Sequence, residues 1–176
     1  MKKKLNIGCG DDIKKGFVNL DFVEMPGVNI IHDLNKFPWS FKKNTFDEIY
    51  VSHVLEHIDD LVKTMREIRR ISKNGATVYI RAPHFSCGVS YRDPTHKRLF
   101  SYFTFDYFSD PKKYYKRAES GILKIKDRKL NFSRFALPFL NKIFNPLINL
   151  NPEIYERFFC WILPCSECLY KLEIIK

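Results

Sequence analysis

The residues best placed to do chemistry begin with Gly8-Cys9-Gly10, which interrupts the apolar run Leu5-Asn6-Ile7, and Asp21, which ends the next apolar run. Glycine has no Cβ to hold a ligand away, and it tolerates the φ > 0 turn that carries a strand beneath a bound nucleotide. An acid at the tip of the following strand can accept hydrogen bonds from ribose hydroxyls. Together they point to a ligand with a ribose. Asp12 and Ile13 follow where the dinucleotide fingerprint has its third glycine, so a nicotinamide cofactor is disfavoured.

All five histidines fall between residues 32 and 96, and four of them (His32, His53, His84 and His96) follow expected strand ends. A histidine or acid so placed could take a proton from an oxygen or nitrogen acceptor. The candidates for that base, or for orienting an acceptor, are His84, His96 and His53, with Asp93 next. A histidine bonded to loop backbone is the ordinary alternative. Arg92, Lys97 and Arg98 could hold an anionic acceptor or tie down their own loop. His53-Val54-Leu55-Glu56-His57 also matches H-x-x-E-H, in which two histidines one helical turn apart bind zinc beside a catalytic glutamate. The segment directly follows a strand, which opposes a metallopeptidase, and no metal ligands are assigned. Cys160, Cys165 and Cys168 lack a fourth ligand and sit among Phe158, Phe159, Trp161 and Leu163, so they are expected to pack in the core.

These residues need a scaffold of alternating strands and crossovers. Strands are expected at 4–7, 17–21, 28–31, 46–51 and 77–82. Leu61, Met65, Ile68 and Ile71 recur at helical spacing, with Asn74-Gly75 as a left-handed cap. Such alternation implies a mainly parallel sheet, buried on both faces. Further on, 84–98 reads as a polar loop and 100–108 as a short aromatic helix folded over something. Residues 121–132 have a strand-like pattern, 135–150 read as short helical pieces, and 153–163 as a helix stopped by Pro164. Tyr170–Ile175 is expected to be the last strand.

At 176 residues the chain is expected to form one domain, 1–176, without a separate substrate domain. No apolar run approaches the roughly 20 residues of a membrane span. The basic start runs straight into a strand, unlike a signal peptide, and the odd, scattered cysteines suit a reduced, cytoplasmic setting. Net charge is +10, and twelve Lys/Arg against five Asp/Glu fall in residues 81–130. Such a block attracts phosphates, nucleic acid or anionic lipid, or merely keeps a surface solvated. The apolar stretch 132–163 could form an acceptor-binding or membrane-surface face, though packing against the sheet or a dimer interface is favoured.

Taken in order, Leu5–Gly10, Val18-Asn19-Leu20-Asp21, Asp33-Leu34, Phe46–His57 and the turn Ile71–Ala76 resemble class I S-adenosylmethionine-dependent methyltransferases. Within that class, Asp93–Arg98 (Asp-Pro-Thr-His-Lys-Arg) is similar to a stretch in small bacterial and archaeal members. The resemblance implies a doubly wound, mostly parallel seven-stranded α/β sheet (Rossmann-like) with its last strand antiparallel. It implies a chain that transfers a methyl group from S-adenosylmethionine to a small-molecule or polymer-attached acceptor, anionic groups included. Gly8, Cys9 and Gly10 would pass beneath the cofactor, and Asp21 would accept from the ribose. Phe22 would lie along the adenine, Asp33 and Leu34 would meet its edge, and Ser52 and His53 would lie under the methionine portion. Two departures stand out. Gly8 and Asp21 are only 13 positions apart, so the first crossover helix must be very short, and no N-terminal covering helix precedes strand one. Another subunit, as in a homodimer, or the aromatic segment 100–108 would then have to supply cover. The rival readings are a non-catalytic RNA- or protein-binding module carried by charge alone, with no RNA-binding motif visible, and aminopropyl transfer, for which no acidic polyamine pocket is apparent.

Overall fold

In the computed structural model, residues 2–109, 121–134 and 138–176 are described. Seven strands form one sheet: β1 (Lys4–Ile7), β2 (Val18–Asp21), β3 (Ile30–Ile31), β4 (Phe46–Ser52), β5 (Ser72–Pro83), β6 (Leu123–Asn131) and β7 (Glu167–Ile174), in spatial order β3-β2-β1-β4-β5-β7-β6. β1 to β5 pair in parallel, and β7 runs antiparallel between β5 and β6. The doubly wound α/β architecture and its antiparallel last strand are as expected.

Helix α1 (Leu61–Ile71) begins at Asp60, whose side chain accepts from Lys63 N, and carries Arg69 and Arg70 in its last turn. Both features complement the helix dipole. Its Met65, Ile68 and Ile71 are fully buried in one core with Leu5, Ile7, Ile49, Val51, Val78 and Ile80. The helix stops at Ile71, where Ser72 Oγ donates to Ile68 O. The expected cap at Gly75 is therefore corrected: that residue turns an excursion inside β5, where the β4–β5 register shifts.

The sheet is not buried on both faces. Leu5, Ile49 and Val78 alternate with Asn6, Tyr50 and Tyr79, and the second row continues through Lys171 and Asp127. Tyr50 and Tyr79 are half-buried, stacked with ring centres 4.6 Å apart, and Lys171 lies over Tyr79. The cause lies in the β1–β2 connection, which contains no helix. Asn6 and Asn19 close it instead, with Asn6 Nδ2 donating to Asp12 O and Asn19 Oδ1, and Lys14 N donating to Asn19 Oδ1. Two side-chain amides do the work of a crossover helix, and the sheet face that such a helix would shield stays open.

The second half corrects four further expectations. The 84–98 loop contains a short helix α2 (Val89–Arg92), and Phe100 pairs with His84. The aromatic segment, with α3 (Asp106–Ser109), packs over β6 and β7 rather than over the Gly8–Gly10 loop. Phe100, Phe105 and Phe108 are core residues, and Phe105 meets Tyr170 edge-on at 4.7 Å. It offers no cover on the β1–β2 side. Residues 153–163 hold a short helix α5 (Pro152–Ile154) and a π turn (Tyr155–Phe159) in place of one helix. The expectation for 135–150 is met in part by α4 (Asn141–Leu150), and residues 135–137 lie outside the described residues. Among the described residues of 132–163, Ile148, Tyr155 and Cys160 are buried in the core, with Phe132 and Leu163 packed against it. Phe139, Ile143, Leu147, Phe158, Trp161 and Ile162 are exposed. The reason is polar: Asn149 and Asn145 of α4 bond the backbone at Leu130 of β6 and at Phe132 just beyond it, which seals that edge and turns the helix's apolar side outward. Among the described residues no helix is long and apolar enough to cross a membrane.

Candidate functional site

Parallel strands bring their carboxyl ends to one edge, and the order reverses between β1 and β4, where open α/β sheets bind ligands. The turns after β1, β2 and β4 meet there. Gly10 N donates to Asp21 Oδ2 at 2.8 Å, which latches the β1 turn to the tip of β2. Asp21 Oδ1 takes the amides of Phe22 and Val23 at 2.8 and 3.1 Å. A carboxylate has about four acceptor sites, so one remains for a ligand hydroxyl. Phe22 is 74 % exposed beside it. Asp33, past the end of β3, accepts from Asn35 N and is half-buried, and Leu34 is packed in the core with its carbonyl on Trp39 Nε1.

Gly8 and Gly10 are both left-handed but serve different ends. A Cβ on Gly8 would sit 2.2 Å from Val54 Cγ2, whereas one on Gly10 would meet nothing within 4 Å. Gly8 is demanded by packing under the β4 turn, and Gly10 faces open space. Gly8→Ala is expected to cost about 3 kcal/mol in denaturant unfolding, from backbone strain plus overpacking. Gly10→Ala should cost only about 1 kcal/mol, from strain alone. Cys9 is buried between them, and burial raises its thiol pKa.

Ser52 ends β4 beside Arg81, and His53 follows in a left-handed conformation (φ 55°) that a non-glycine residue adopts only under constraint. The constraint is visible. His53 Nε2 is 3.1 Å from Glu167 Oε2, and Nδ1 is 3.4 Å from Glu56 Oε1. Glu167 is fully buried and also takes Arg81 at 2.7 Å and Asn131 Nδ2 at 2.8 Å. Burial pushes its pKa up, but the bonds from His53, Arg81 and Asn131 outweigh that and hold the carboxyl at about 2. For His53, burial favours the neutral ring, yet the bonds to Glu167 and Glu56 prevail over burial and the nearby Arg134 charge, so its pKa is raised. Both ring nitrogens face carboxylates, so neither is open to take a proton from an acceptor, which corrects that expectation for His53. NMR titration of the His53 ring should give a pKa above that of ordinary histidines, and Glu167→Gln should bring it down.

The other proton-transfer candidates do not join this edge as expected. His84 is fully buried, with Nδ1 on Ser86 and Nε2 3.2 Å from Glu156, so no acceptor can reach it. Asp93 accepts from Thr95 N and Oγ1, and His96 packs 4.7 Å from the His57 ring. Lys97 and Arg98 tie their loop to Asp59 and to the carbonyls of Ile58 and Asp59. The zinc-peptidase reading of His53-x-x-Glu56-His57 fails on geometry. Residues 53–57 form turns, not a helix, and both His53 nitrogens face carboxylates. Cys160, Cys165 and Cys168 are buried and free, as core packing requires; burial raises the Cys165 pKa to about 12.

Sequence reasoning missed Glu167, Arg81 and Asn131. Nothing local marks them, because only the insertion of β7 between β5 and β6 brings Glu167 opposite Pro83 and Asn131.

Residues 10–80 match the family described as a methyltransferase domain. Among curated proteins none matches the chain. In fold, the chain is similar to an S-adenosylmethionine-dependent methyltransferase from Archaeoglobus fulgidus (TM-score 0.62, 18% identity, 98% of this chain and 86% of that one). It is also similar to one from Mesorhizobium loti (TM-score 0.55, 14%, 98% and 90%). The 4+2 cyclase SpnF shares the fold too (TM-score 0.58, 14%, 99% and 74%).

Proposed function

We propose that this chain, which matches a methyltransferase-domain family over residues 10–80 and is similar in fold to S-adenosylmethionine-dependent methyltransferases, is a class I member that binds S-adenosylmethionine at the β1–β2–β4 edge and transfers its methyl group to a small or polymer-attached acceptor. The observation that carries this reading is the latch of Gly10 N onto Asp21 beside open space above Gly10. The residues fit the cofactor. The Gly10 cradle is one that a Cβ would fill, Asp21 keeps an acceptor site for a ribose hydroxyl, and Phe22 presents an exposed ring for a base to lie along. Asp33 and Leu34 stand where an adenine edge would fall, and Gly8, Cys9, Ser52 and His53 form the floor.

The cofactor supplies an already activated methyl group on a sulfonium, so the protein's task is alignment and exclusion of water. Asp21 and the glycine turn fix position. His53, clamped by Glu167 and Glu56, acts as a positioning residue at the β4 turn. No proton-taking role is assigned to His84. Asp93 stays a candidate for orienting the acceptor, with the half-exposed carboxylate that such a role needs.

We further read the chain as a single domain in a reduced, cytoplasmic setting, in keeping with five free cysteines. A nucleic-acid module without catalysis is less well supported. Arg81, Lys97, Arg98 and Arg128, all from the basic block, are engaged with Glu167, Asp59, Ile58 O and Asp106 of the same chain. Part of that block, 110–120, lies outside the described residues. The test is calorimetry with S-adenosylmethionine and S-adenosylhomocysteine, where saturable one-to-one binding is expected. An absence of binding up to millimolar ligand would overturn the assignment. The fold-sharing SpnF, a cyclase, makes a methyl-transfer assay the necessary second measurement.

A further inference from the structure

We propose that Glu56, His57 and His96 bind one divalent metal ion of the zinc class, clamping the turn after β4 to the loop after β5. One donor atom from each lies within 4.8 Å of the other two. Two imidazoles and a carboxylate are the mixed nitrogen–oxygen set that zinc accepts.

Glu56 supplies the second observation. It is 1 % exposed, and its Oε2 has no hydrogen-bond partner. His53 serves the other oxygen at 3.4 Å and leaves this one unmatched. A buried carboxylate oxygen without a donor is costly, and a cation shared with the two rings removes that cost.

Proton placement agrees. Thr95 Oγ1 donates its single hydrogen to Asp93 Oδ1 at 2.6 Å, so at 2.8 Å it accepts from His57 Nδ1–H. His96 Nδ1 faces the Ser90 carbonyl at 3.4 Å, and a carbonyl only accepts. Both rings therefore donate from Nδ1, which leaves Nε2 as the nitrogen able to face a ligand. Metal-binding imidazoles usually have this outer shell of a carbonyl, or of a hydroxyl backed by a carboxylate. Asp93 Oδ2, 3.8 Å from His96 Nε2, is near enough to join the ion directly or through water.

The ligands are also held in place without the ion. Lys97 N donates to Glu56 O at 2.7 Å, and Arg98 donates to Asp59 O at 2.9 Å. Binding would therefore order little additional backbone. This site differs from an H-x-x-E-H centre, because His53 is not among its ligands.

The experiment uses the whole chain, stripped with chelator and titrated with Zn(II) alone by calorimetry. Co(II) absorption provides an independent readout of the ligand field. One equivalent should bind at micromolar affinity or tighter, and it should raise the unfolding midpoint. Glu56→Gln and His96→Ala should each weaken binding by at least about 100-fold, whereas His53→Gln should retain it. Glu56→Gln is isosteric and carries the test should His96→Ala unfold. Absence of saturable binding below millimolar Zn(II), or binding that survives both ligand variants, overturns the proposal, as does its loss in a folded His53→Gln. No S-adenosylmethionine is added, so failure here leaves the methyltransferase reading untouched.

Discussion

Calorimetry of Asp21→Asn should show S-adenosylmethionine and S-adenosylhomocysteine binding weakened about 30-fold or more, equivalent to about 2 kcal/mol. Asp21 Oδ1 holds the Phe22 and Val23 amides, Oδ2 holds Gly10 N, and one acceptor site is left over. An asparagine amide can keep the Oδ1 bonds, but it turns an NH₂ toward the Gly10 N–H, donor against donor. The latch opens, the glycine turn loses its fixed height, and the acceptor for a ribose hydroxyl goes with it. A hydrogen bond to a charged group contributes about 1.5–3 kcal/mol, enough to account for the loss without invoking a fold change. The variant should remain folded, with unfolding stability lowered by no more than about 1–3 kcal/mol from the lost latch. Unchanged affinity in a folded Asp21→Asn protein would remove Asp21 from the cofactor site.

Glu167→Gln is expected to cost roughly 2–3 kcal/mol of stability, lowering the unfolding midpoint by roughly 5–10 °C. Glu167 is fully buried, and its charge is matched by His53, Arg81 and Asn131. Arg81 is 44 % exposed, so solvent screens part of that attraction, and the estimate is kept below the cost of breaking a wholly buried pair. The pH dependence has a definite sign. The folded-state pKa, about 2, lies below the ordinary glutamate value of 4.5. The contribution is therefore present above about pH 4.5 and lost as pH falls from there toward 2. His53 acts in the opposite sense. Its pKa is raised, so its contribution is complete below the ordinary histidine range and fades as pH rises through the folded value. The stability gap between wild type and Glu167→Gln should thus shrink in acid and also narrow at alkaline pH. A gap that stays constant from pH 3 to pH 9 would show that Glu167 acts by shape rather than by charge.

Much of the fold was legible because its signals are local. β1, β2, β4 and α1 announce themselves by apolar runs and helical spacing, and the Gly8–Gly10 turn and Asp21 by residue type. The shortness of the first crossover was readable as a distance of 13 residues, but that distance called for a very short helix, and the structure has none there. Its consequence, an open sheet face lined by Tyr50 and Tyr79, was not, because which face lacks a cover depends on where the other connections run. The helix end was misplaced because Asn74-Gly75 is a strong turn signal wherever it stands, and here Ser72 had already bonded back to Ile68.

What the sequence by itself determined is the edge proposed for the cofactor: glycines at a left-handed turn after β1, and an acid where β2 ends. Steric permission and charge belong to single residues, so they can be read in order along the chain. What only the tertiary structure decided is the fate of the histidines. Glu167 is 114 residues from His53 and turns it from a candidate base into a clamped ring with no nitrogen free. Glu156 likewise seals His84 from 72 residues away. His96 reaches His57 and Glu56 only because the loop after β5 folds back onto the turn after β4. A proton's position depends on which partner stands within about 3 Å, and strand insertion and loop return set that distance across the fold.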